Sequence, residues 1–377
     1  MIEKLRIPYS CISCENEKVL FISFEDGGIY SVNPITGEII LASDFGKDLV
    51  TPIQFAGIFY VEDKIILLPR EGNVVLLLSD KLELIKEIVL PDYCMNNKLE
   101  KGPLFFTAIY KNGFVYFFGY AFKGILKYSM DADSFWCIDL LVDNNEILFS
   151  DLDGFFHLNY YSDSETIFFP FMNANAVLKF DFKTDTYKVY KVGDMGNRFI
   201  SISKNKNYYF LIPRDASCKG IVRWNEEDGS FEEYSDYPIN FEYHPFSFLN
   251  SFTVGDKVIV LAHSGNMNIE ILLDGSMKQV EDLYDTDGIC ASKYGTHYSN
   301  GDEVIFLTPT GLLYWNIKDN TSKFVQYVFS DEIVRITEAR KEKRELLKKF
   351  SLYERRAVID ENAVYDLDSF VKYVEMK

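Results

Sequence analysis

The sequence is poor in cysteine, and its few cysteines are scattered. Of 377 residues, 6 are cysteine, and one close pair, Cys11 and Cys14, stands three positions apart in a predicted strand. Side chains at that spacing point to opposite faces of a strand. A single Cys-x-x-Cys with no second pair and no helix after it is a weak signal for zinc or for a redox site. We therefore expect free thiols in a reducing cytoplasm, no bound metal and no cofactor.

Positive charge is also scarce. Lysine and arginine number 39 against 57 aspartates and glutamates, so the net charge is 39 − 57 = −18 at pH 7. Such a surface repels phosphates, which argues against a nucleic-acid backbone or an anionic bilayer as the main partner. An apolar fraction of 47% and an aromatic fraction of 16% exclude coiled coils, collagen-like chains and disordered acidic tails. These proportions predict an acidic globular protein with a large core.

The sequence shows neither a secretory leader nor a membrane-spanning run. Charges at Glu3, Lys4 and Arg6 fall where a leader would be apolar. The most apolar segment, residues 102–124, is interrupted by the turn signal Lys111-Asn112-Gly113. Two strands joined by a hairpin explain that pattern better than one membrane helix does. We therefore expect a cytoplasmic protein without membrane insertion.

One short pattern occurs seven times along the chain. It consists of an apolar run, a polar or glycine-containing turn, a second apolar run, another turn and a further strand. The second residues of the first runs are at positions 19, 65, 115, 167, 209, 258 and 304, so the intervals are 46, 50, 52, 42, 49 and 46 residues. These intervals match the length of a four-stranded propeller blade.

The apolar runs also indicate how the seven units pack. Nearly every residue of the second and third strands is apolar, so both faces of each sheet must be covered. Stacking the sheets face to face around an axis buries both faces. The sequence therefore predicts an all-β protein, a seven-bladed β-propeller of four-stranded blades over residues 1–330. We expect residues 3–8 to add a strand to the last blade and fasten the ring.

The repeats resemble the broad propeller group that includes kelch, tryptophan–aspartate and YVTN-type repeats. Blade one is the most kelch-like or quinoprotein-like, with Asp26-Gly-Gly-Ile-Tyr30 followed by Asn33-Pro-Ile-Thr-Gly37. The other blades lack the Gly-Gly pair, and no blade ends in Trp-Asp. The resemblance therefore implies the architecture, and no family's functional residues are transferred to this chain.

The pattern changes at Asp331, and residues 331–377 read as a short helical extension. A charged run at 338–345 indicates an exposed helix. A second helix is predicted where Leu367, Phe370, Val371 and Val374 form one apolar stripe, with Asp366 or Asp368 as its N-cap. Two interpretations stay open: both helices pack on the side of the propeller, or they bind a partner or a second copy.

Candidate ligand-binding residues lie in the loops between second and third strands. Arg70 and Arg214 occupy equivalent places in blades two and five, and Lys123 lies between them in sequence. These cations predict a site for a carboxylate or phosphate, unless each arginine pairs with its neighbour, Glu71 or Asp215. The full candidate set, all from these loops, is Arg70, Lys123, Asn173, Asn175, Arg214 and His263.

The histidines and two acidic turns offer further chemistry. His157, His244, His263 and His297 are the only histidines, and convergence at a channel mouth would serve proton transfer or metal binding. The alternative is that all four are structural. The sequences Asp151-Leu-Asp-Gly154 and Asp285-Thr-Asp-Gly288 pair carboxylates as a calcium site does, but the further ligands of an EF-hand are missing. Tight turns are therefore the preferred explanation for both sequences.

No catalytic motif is readable, so the leading hypothesis is a non-catalytic binding or scaffolding propeller. Its upper face would meet a protein, peptide or glycan, with further assembly through the C-terminal helix. The alternative is a propeller hydrolase, lyase or cyclase that uses His, Arg and Asp around the central channel. An enzyme should bury several close titratable groups in an axial pocket. A scaffold should expose a broad apolar or aromatic patch.

Overall fold

Seven four-stranded antiparallel sheets make up most of the chain. The computed structural model describes residues 12–15, 18–23, 28–43, 55–70, 72–99, 102–142, 144–150, 154–215, 218, 220–244, 246–289 and 291–342. Each sheet pairs four consecutive strands in chain order. This arrangement confirms the predicted seven-bladed β-propeller of four-stranded blades.

The first four blades cover residues 12–191. Blade one contains β1 (Ile12–Glu15), β2 (Lys18–Ile22), β3 (Ile29–Val32) and β4 (Ile39–Ser43). Blade two contains β5 (Phe55–Val61), β6 (Lys64–Pro69), β7 (Val74–Ser79) and β8 (Leu84–Val89), and a short helix, α1 (Asp92–Asn96), follows it. Blade three contains β9 (Phe105–Lys111), β10 (Phe114–Gly119), β11 (Gly124–Ser129) and β12 (Ser134–Asp139). Blade four contains β13 (Tyr161–Ser162), β14 (Thr166–Pro170), β15 (Ala176–Asp181) and β16 (Thr186–Lys191).

The last three blades complete the ring. Blade five contains β17 (Phe199–Asn205), β18 (Tyr208–Pro213), β19 (Ile221–Asn225) and β20 (Phe231–Tyr234). Blade six contains β21 (Phe248–Val254), β22 (Lys257–Ala262), β23 (Asn268–Ile271) and β24 (Met277–Val280). Blade seven contains β25 (His297–Asn300), β26 (Glu303–Leu307), β27 (Gly311–Asn316) and β28 (Thr321–Gln326).

The first strand of each blade is the innermost. Strand β1 contacts both β5 and β25, β5 contacts β9, and β17 contacts β21, so neighbouring blades meet at their first strands. Because strands alternate in direction, the loops between second and third strands lie at the same end as the connections from one blade to the next. We call this end the upper face. The predicted hairpin within residues 102–124 is the β9–β10 pair. No helix in the described ranges is both long enough and apolar enough to cross a membrane.

The continuous apolar runs are explained by packing on both sides of each sheet. In β6, residues 65–68 are all fully buried. Side chains alternate between the two faces of a strand. Accordingly, Ile66 shares a hydrophobic cluster with Phe117 of blade three. Its neighbour Ile65 shares another cluster with Leu20 of blade one. One strand therefore supplies the core on both sides, which is why an alternating pattern is absent.

Blade seven is tied to blade one by the segment after β28. Val328 forms a parallel bridge with Glu38. The amide of Ile39 donates to the Val328 carbonyl at 3.1 Å, and the Val328 amide donates to the Gly37 carbonyl at 2.9 Å. In the described ranges, all four strands of the last blade come from residues 297–326. The predicted fastening strand, residues 3–8, lies outside the described residues.

The described part of the C-terminal extension is a helix, α2, over residues 331–342. Ser330 caps it, because the Ser330 hydroxyl accepts the amide of Ile333 at 3.2 Å. Ile333 is buried in a cluster that contains Phe21 of blade one and Leu312 of blade seven. The first turn of α2 thus covers the seam between these blades. The second predicted helix, around residues 367–374, lies outside the described residues.

Removing the buried side chain of α2 should weaken this seam. We expect Ile333→Ala to lower the free energy of unfolding by about 2 kcal/mol, because it leaves a cavity between two blades. Glu332→Ala is the matched control, since Glu332 is exposed in the same turn. Urea denaturation of both variants measures the difference. Equal, small losses would contradict the packing of α2 on the ring.

Candidate ligand site at the axial mouth

A small cavity that opens to solvent lies at the upper end of the axis. Phe106 of β9 and Leu249 of β21 contribute from inner strands. His157 and Leu158 come from the connection into blade four, and His263 comes from the loop after β22. The connection into blade seven adds Ser292, Gly295 and Thr296. Segments of four blades therefore build one cavity, although they are far apart in sequence.

The cavity has two kinds of wall. Phe106, Leu158 and Leu249 form an apolar side. The ring of Phe106 is held at 4.7 Å from the ring of Tyr120 and at 4.9 Å from the ring of His157. Two imidazoles and the hydroxyls of the Ser292 and Thr296 connection supply the polar side. A group that fills this space must present both apolar and polar surface.

His157 is the polar group with the clearest lack of a partner. Its Nδ1 is buried and has no hydrogen-bond partner in the described part of the chain. Its backbone carbonyl accepts the Thr107 hydroxyl at 2.9 Å, which fixes the residue above β9. Burial lowers the pKa of His157 to about 4, and the nearby His263 and Arg214 act in the same direction. The imidazole is therefore neutral at pH 7.

His263 holds two connections of the upper face together. Its amide donates to the Ser247 carbonyl at 2.8 Å, and its carbonyl accepts the Lys293 amide at 3.2 Å. The residue is buried, and burial lowers the pKa of its imidazole. The cavity therefore contains two neutral imidazoles.

A cluster of two arginines and one aspartate lies close to His157. Arg214 Nη1 is 2.7 Å from Asp215 Oδ2, and Arg198 Nη2 is 3.5 Å from the same oxygen. The Arg214 guanidinium also lies 4.5 Å from the ring centre of Phe246. Pairing of Arg214 with its neighbour, the alternative foreseen from the sequence, is thus observed. Both guanidinium groups therefore contact the same carboxylate.

Besides Asn240, two described non-glycine residues of the upper face have a left-handed backbone. Phe246 has φ +57° and Ser292 has φ +58°. A left-handed conformation costs a residue with a Cβ about 1–2 kcal/mol. Strained residues of this kind occur preferentially at ligand sites, where the surrounding structure imposes them. Here one of them stacks on Arg214 and the other lines the cavity.

The predicted ligand-binding residues are distributed unevenly around the cavity. His263 lines it, and Arg214 is near enough to influence His157. Arg70 is exposed at the start of its loop in blade two. Lys123 is exposed and lies 5.0 Å above the ring of Phe149. The structure does not bring these last two to the cavity wall.

The two predicted asparagines are buried in the loop after β14. Asn175 accepts the Leu148 amide at 3.1 Å and donates to the Glu146 carbonyl at 3.2 Å. The backbone carbonyl of Asn173 accepts the Ser150 amide at 2.7 Å. These contacts hold the connection between blades three and four.

Two of the four histidines converge at the axis. His244 is partly exposed, and its Nε2 lies 3.6 Å from Oε2 of Glu242. The ring of His297 packs between Phe252 and Phe306, at 5.1 and 5.7 Å. Among the described residues, no group of three or more His, Cys, Asp or Glu side chains is arranged to hold a metal. Asp285 accepts the Asp287 amide at 3.0 Å, as in a tight turn, and residues 151–153 lie outside the described ranges.

Sequence reasoning missed Phe106, Ser292 and Thr296, and it named His157 only as one histidine among four. The cavity lies where inner strands begin, and the connections leading to these strands differ in length from blade to blade. Repeat alignment therefore gives these residues no fixed position. The one available signal was a lone histidine in the otherwise apolar stretch Gly154-Phe-Phe-His-Leu158.

Comparison with known proteins gives information about the fold and about no other property. No protein-family model matches the chain, and no curated protein matches it in sequence. A chain of the mitotic checkpoint complex is 10% identical, with a TM-score of 0.51 over 88% of this chain and 92% of that chain.

Two bacterial structures are also similar. PorZ, a surface component of the type-IX secretion system of Porphyromonas gingivalis, is 11% identical, with a TM-score of 0.50 over 86% of this chain and 39% of PorZ. Virginiamycin B lyase of Staphylococcus aureus is 13% identical, with a TM-score of 0.49 over 75% of this chain and 90% of the lyase. The seven repeats, the seven sheets and the likeness in fold identify the chain as a β-propeller that is not assigned to any specific family of that superfamily.

Proposed function

We propose that the protein is a non-catalytic binding propeller whose upper face takes a protein or peptide partner. The observation that carries this proposal is that three successive connections between blades each expose a large apolar side chain. Leu141, Met195 and Ile239 are 72%, 71% and 87% exposed. Large apolar side chains at such exposure, grouped on one face, are typical of an interaction surface. Their connections lie on the same face as the mouth of the axial cavity.

A rigid aromatic stack supports the connection that carries Ile239. The rings of Tyr237 and Phe241 lie 4.4 Å apart, and Phe241 stacks on Phe248 of β21 at 5.5 Å. Tyr243 closes the stack edge-on at 4.9 Å from Phe241. A connection held in this way loses little conformational entropy when a partner binds. Such a pre-ordered connection is therefore better suited to protein recognition than a connection that becomes ordered only on contact.

Compartment and assembly are part of the same proposal. Cys94, Cys137 and Cys218 are free thiols, which suits a reducing cytoplasm. Assembly through residues 331–377 stays a prediction, as does the division of the chain at residue 330. A glycan as partner and a kelch-type relationship based on blade one also remain predictions.

Substitution at the upper face should remove the partner. We expect the double variant Met195→Glu, Ile239→Glu to lose about tenfold or more of the partner recovered with the purified protein, because it puts two charges at an apolar contact. The matched control is Ile35→Glu, since Ile35 is 80% exposed in the turn between β3 and β4 on the opposite face. Affinity purification with quantitative mass spectrometry compares the three proteins. Partners kept by the double variant, or lost by the control, would contradict an upper-face site.

The alternative of a propeller enzyme is favoured by one observation, the presence of two neutral imidazoles in one cavity. Neutral imidazole is the usual general base at neutral pH. Conversion of a bound small molecule that stops in His157→Gln and continues in Ile239→Glu would establish an enzyme in place of a scaffold.

A further inference from the structure

We propose that the partner of the upper face is a basic protein segment in which lysine or arginine residues lie next to apolar residues. The inference rests on the proposed binding function and names the chemistry of the partner. It is carried by the exposed apolar side chains of the upper face, by exposed carboxylates on the same connections and by the scarcity of positive charge there.

The connections of the upper face carry far more negative than positive charge. We call the four links between blades three and seven the upper connections, residues 140–160, 192–198, 235–247 and 281–296. Their described residues include two cations, Arg198 and Lys293, both half-buried, and eight carboxylates, all exposed. The carboxylates are Glu146, Asp194, Asp236, Glu242, Glu281, Asp282, Asp285 and Asp287. The surface that a partner meets is therefore strongly acidic.

Two of the exposed apolar side chains have carboxylates close to them in sequence. Met195, 71% exposed, directly follows Asp194. Ile239, 87% exposed, stands three positions from both Asp236 and Glu242. A partner that covers these apolar side chains also approaches the carboxylates, so negative charge on the partner would be repelled. The matching surface has positive charge beside its own apolar side chains.

The opposite face differs, because several of its carboxylates are neutralised within the protein. These ion pairs join Asp63 to Lys64 at 2.9 Å, and Asp133 to Lys86, Asp185 to Lys127 and Glu226 to Lys179, each at 2.5 Å. On the upper connections, Glu146 is paired with Lys191 at 3.1 Å. In the described part of the chain, no ion pair joins Asp194 or Asp236 to a lysine or arginine. These two carboxylates are therefore available to a partner.

The distribution of the carboxylates favours a protein segment over a metal ion. Calcium takes six to eight oxygen ligands around one point. Asp194 and Asp236 lie on separate connections, and the described residues contain no group of three or more side chains arranged to hold a metal. Carboxylates spread in this way match cationic side chains spaced along a chain. Nucleic acids and anionic membranes would be repelled.

Fluorescence anisotropy with the full-length protein and three labelled peptides tests the inference. The first probe is the basic peptide Gly-Lys-Leu-Arg-Leu-Lys-Phe-Arg-Leu-Gly. The second has glutamate in place of every lysine and arginine, and the third has serine in place of every leucine and phenylalanine. We expect the basic peptide to bind about tenfold or more tightly than either of the others, because it alone offers both kinds of contact. Its affinity should fall about tenfold between 50 and 500 mM salt, since salt screens exposed charges.

Reversal of two charges gives an independent readout. The double variant Asp194→Lys, Asp236→Lys should bind the basic peptide about tenfold more weakly. The matched control is Asp80→Lys, Asp131→Lys, which replaces two exposed aspartates in turns of the opposite face. Both double variants change the net charge equally, from −18 to −14. The control should stay within about twofold of the unchanged protein.

A milder pair of variants keeps the test decisive if charge reversal prevents folding. Asp194→Asn, Asp236→Asn should then weaken binding about threefold, and Asp80→Asn, Asp131→Asn should leave it nearly unchanged. Asparagine has almost the size of aspartate, so these variants remove charge with little change in shape.

Three outcomes would overturn the inference. These are no binding of the basic peptide, equal binding of the basic peptide and either counterpart, and equal loss of affinity in the upper-face variant and its control. The proposed function is judged separately. Cellular partners that are lost from Met195→Glu, Ile239→Glu but kept by Asp194→Lys, Asp236→Lys would establish an upper-face site whose partner is not basic.

Discussion

Replacing Gly37 with alanine is expected to open the propeller ring and to lower the free energy of unfolding by about 3–5 kcal/mol, near the upper limit for a single substitution. Gly37 has φ +72°, a conformation that favours glycine. A Cβ at this position would lie 1.9 Å from the backbone oxygen of Gln326 in blade seven. Because that oxygen belongs to the backbone, relief requires the two blades to move apart. The movement would break the bond from the Val328 amide to the Gly37 carbonyl, which closes the ring.

Gly229→Ala is a matched control for this prediction. Gly229 ends the equivalent turn of blade five with φ +74°, and its amide donates to Asn225 at 3.0 Å as that of Gly37 does to Asn33 at 2.9 Å. A Cβ on Gly229 would meet no atom within 4 Å. It should therefore cost only the backbone strain, about 1–2 kcal/mol. Urea denaturation of both variants measures the excess due to ring closure, and equal losses would contradict it.

The repeat was predictable from the sequence because each blade must bury two faces. Residues 65–68 are apolar without alternation, and the structure shows both Ile65 and Ile66 in cores, on opposite sides of one sheet. This demand recurs in every blade at nearly constant spacing. The sequence carries no comparable signal for the closure of the ring. Val328 bridges to Glu38, 290 positions away, and the sequence around Val328 resembles any loop that leaves a strand.

The candidate site was less predictable, for a geometric reason. Arg70 and Arg214 hold equivalent positions in their repeats, but blades two and five are three steps apart in a ring of seven. Equivalent positions are therefore distributed around the rim and do not meet. Only side chains that lean over the axis can converge, and His157 does so from a connection whose length the repeat leaves free. Periodicity thus locates the blades, whereas the cavity depends on where each connection crosses the axis.

Mild acid is expected to destabilise the protein through its packed histidines, and this is the second large effect. Burial lowers the pKa of His157 and of His297 to about 4, whereas a histidine in an unfolded chain titrates near 6.5. Between pH 6.5 and pH 4 the unfolded chain therefore binds more protons, so stability falls as the pH falls. At pH 5, relative to pH 8, each of the two costs about 2 kcal/mol, and together they cost about 4 kcal/mol.

The described carboxylates whose pKa is lowered do not account for a loss in this range. Asp181, for example, has its pKa lowered from the usual 3.8 by backbone hydrogen bonds to Thr184, so its contribution to stability is lost only as the pH falls below that value. Loss between pH 6.5 and pH 5 therefore reports histidines. His244, whose side chain is 44% exposed, provides the control position.

Urea denaturation at pH 8 and pH 5 separates the contributions. His297→Gln and His157→Gln should each remove about 2 kcal/mol of the difference in unfolding free energy between the two pH values, because glutamine does not titrate. His263, whose pKa burial also lowers, contributes to the remainder. His244→Gln should leave the difference nearly unchanged. Equal stability of the wild-type protein at both pH values would contradict the prediction. It would mean that folding does not keep these histidines neutral. A drop that survives both substitutions would assign the acid sensitivity to other groups.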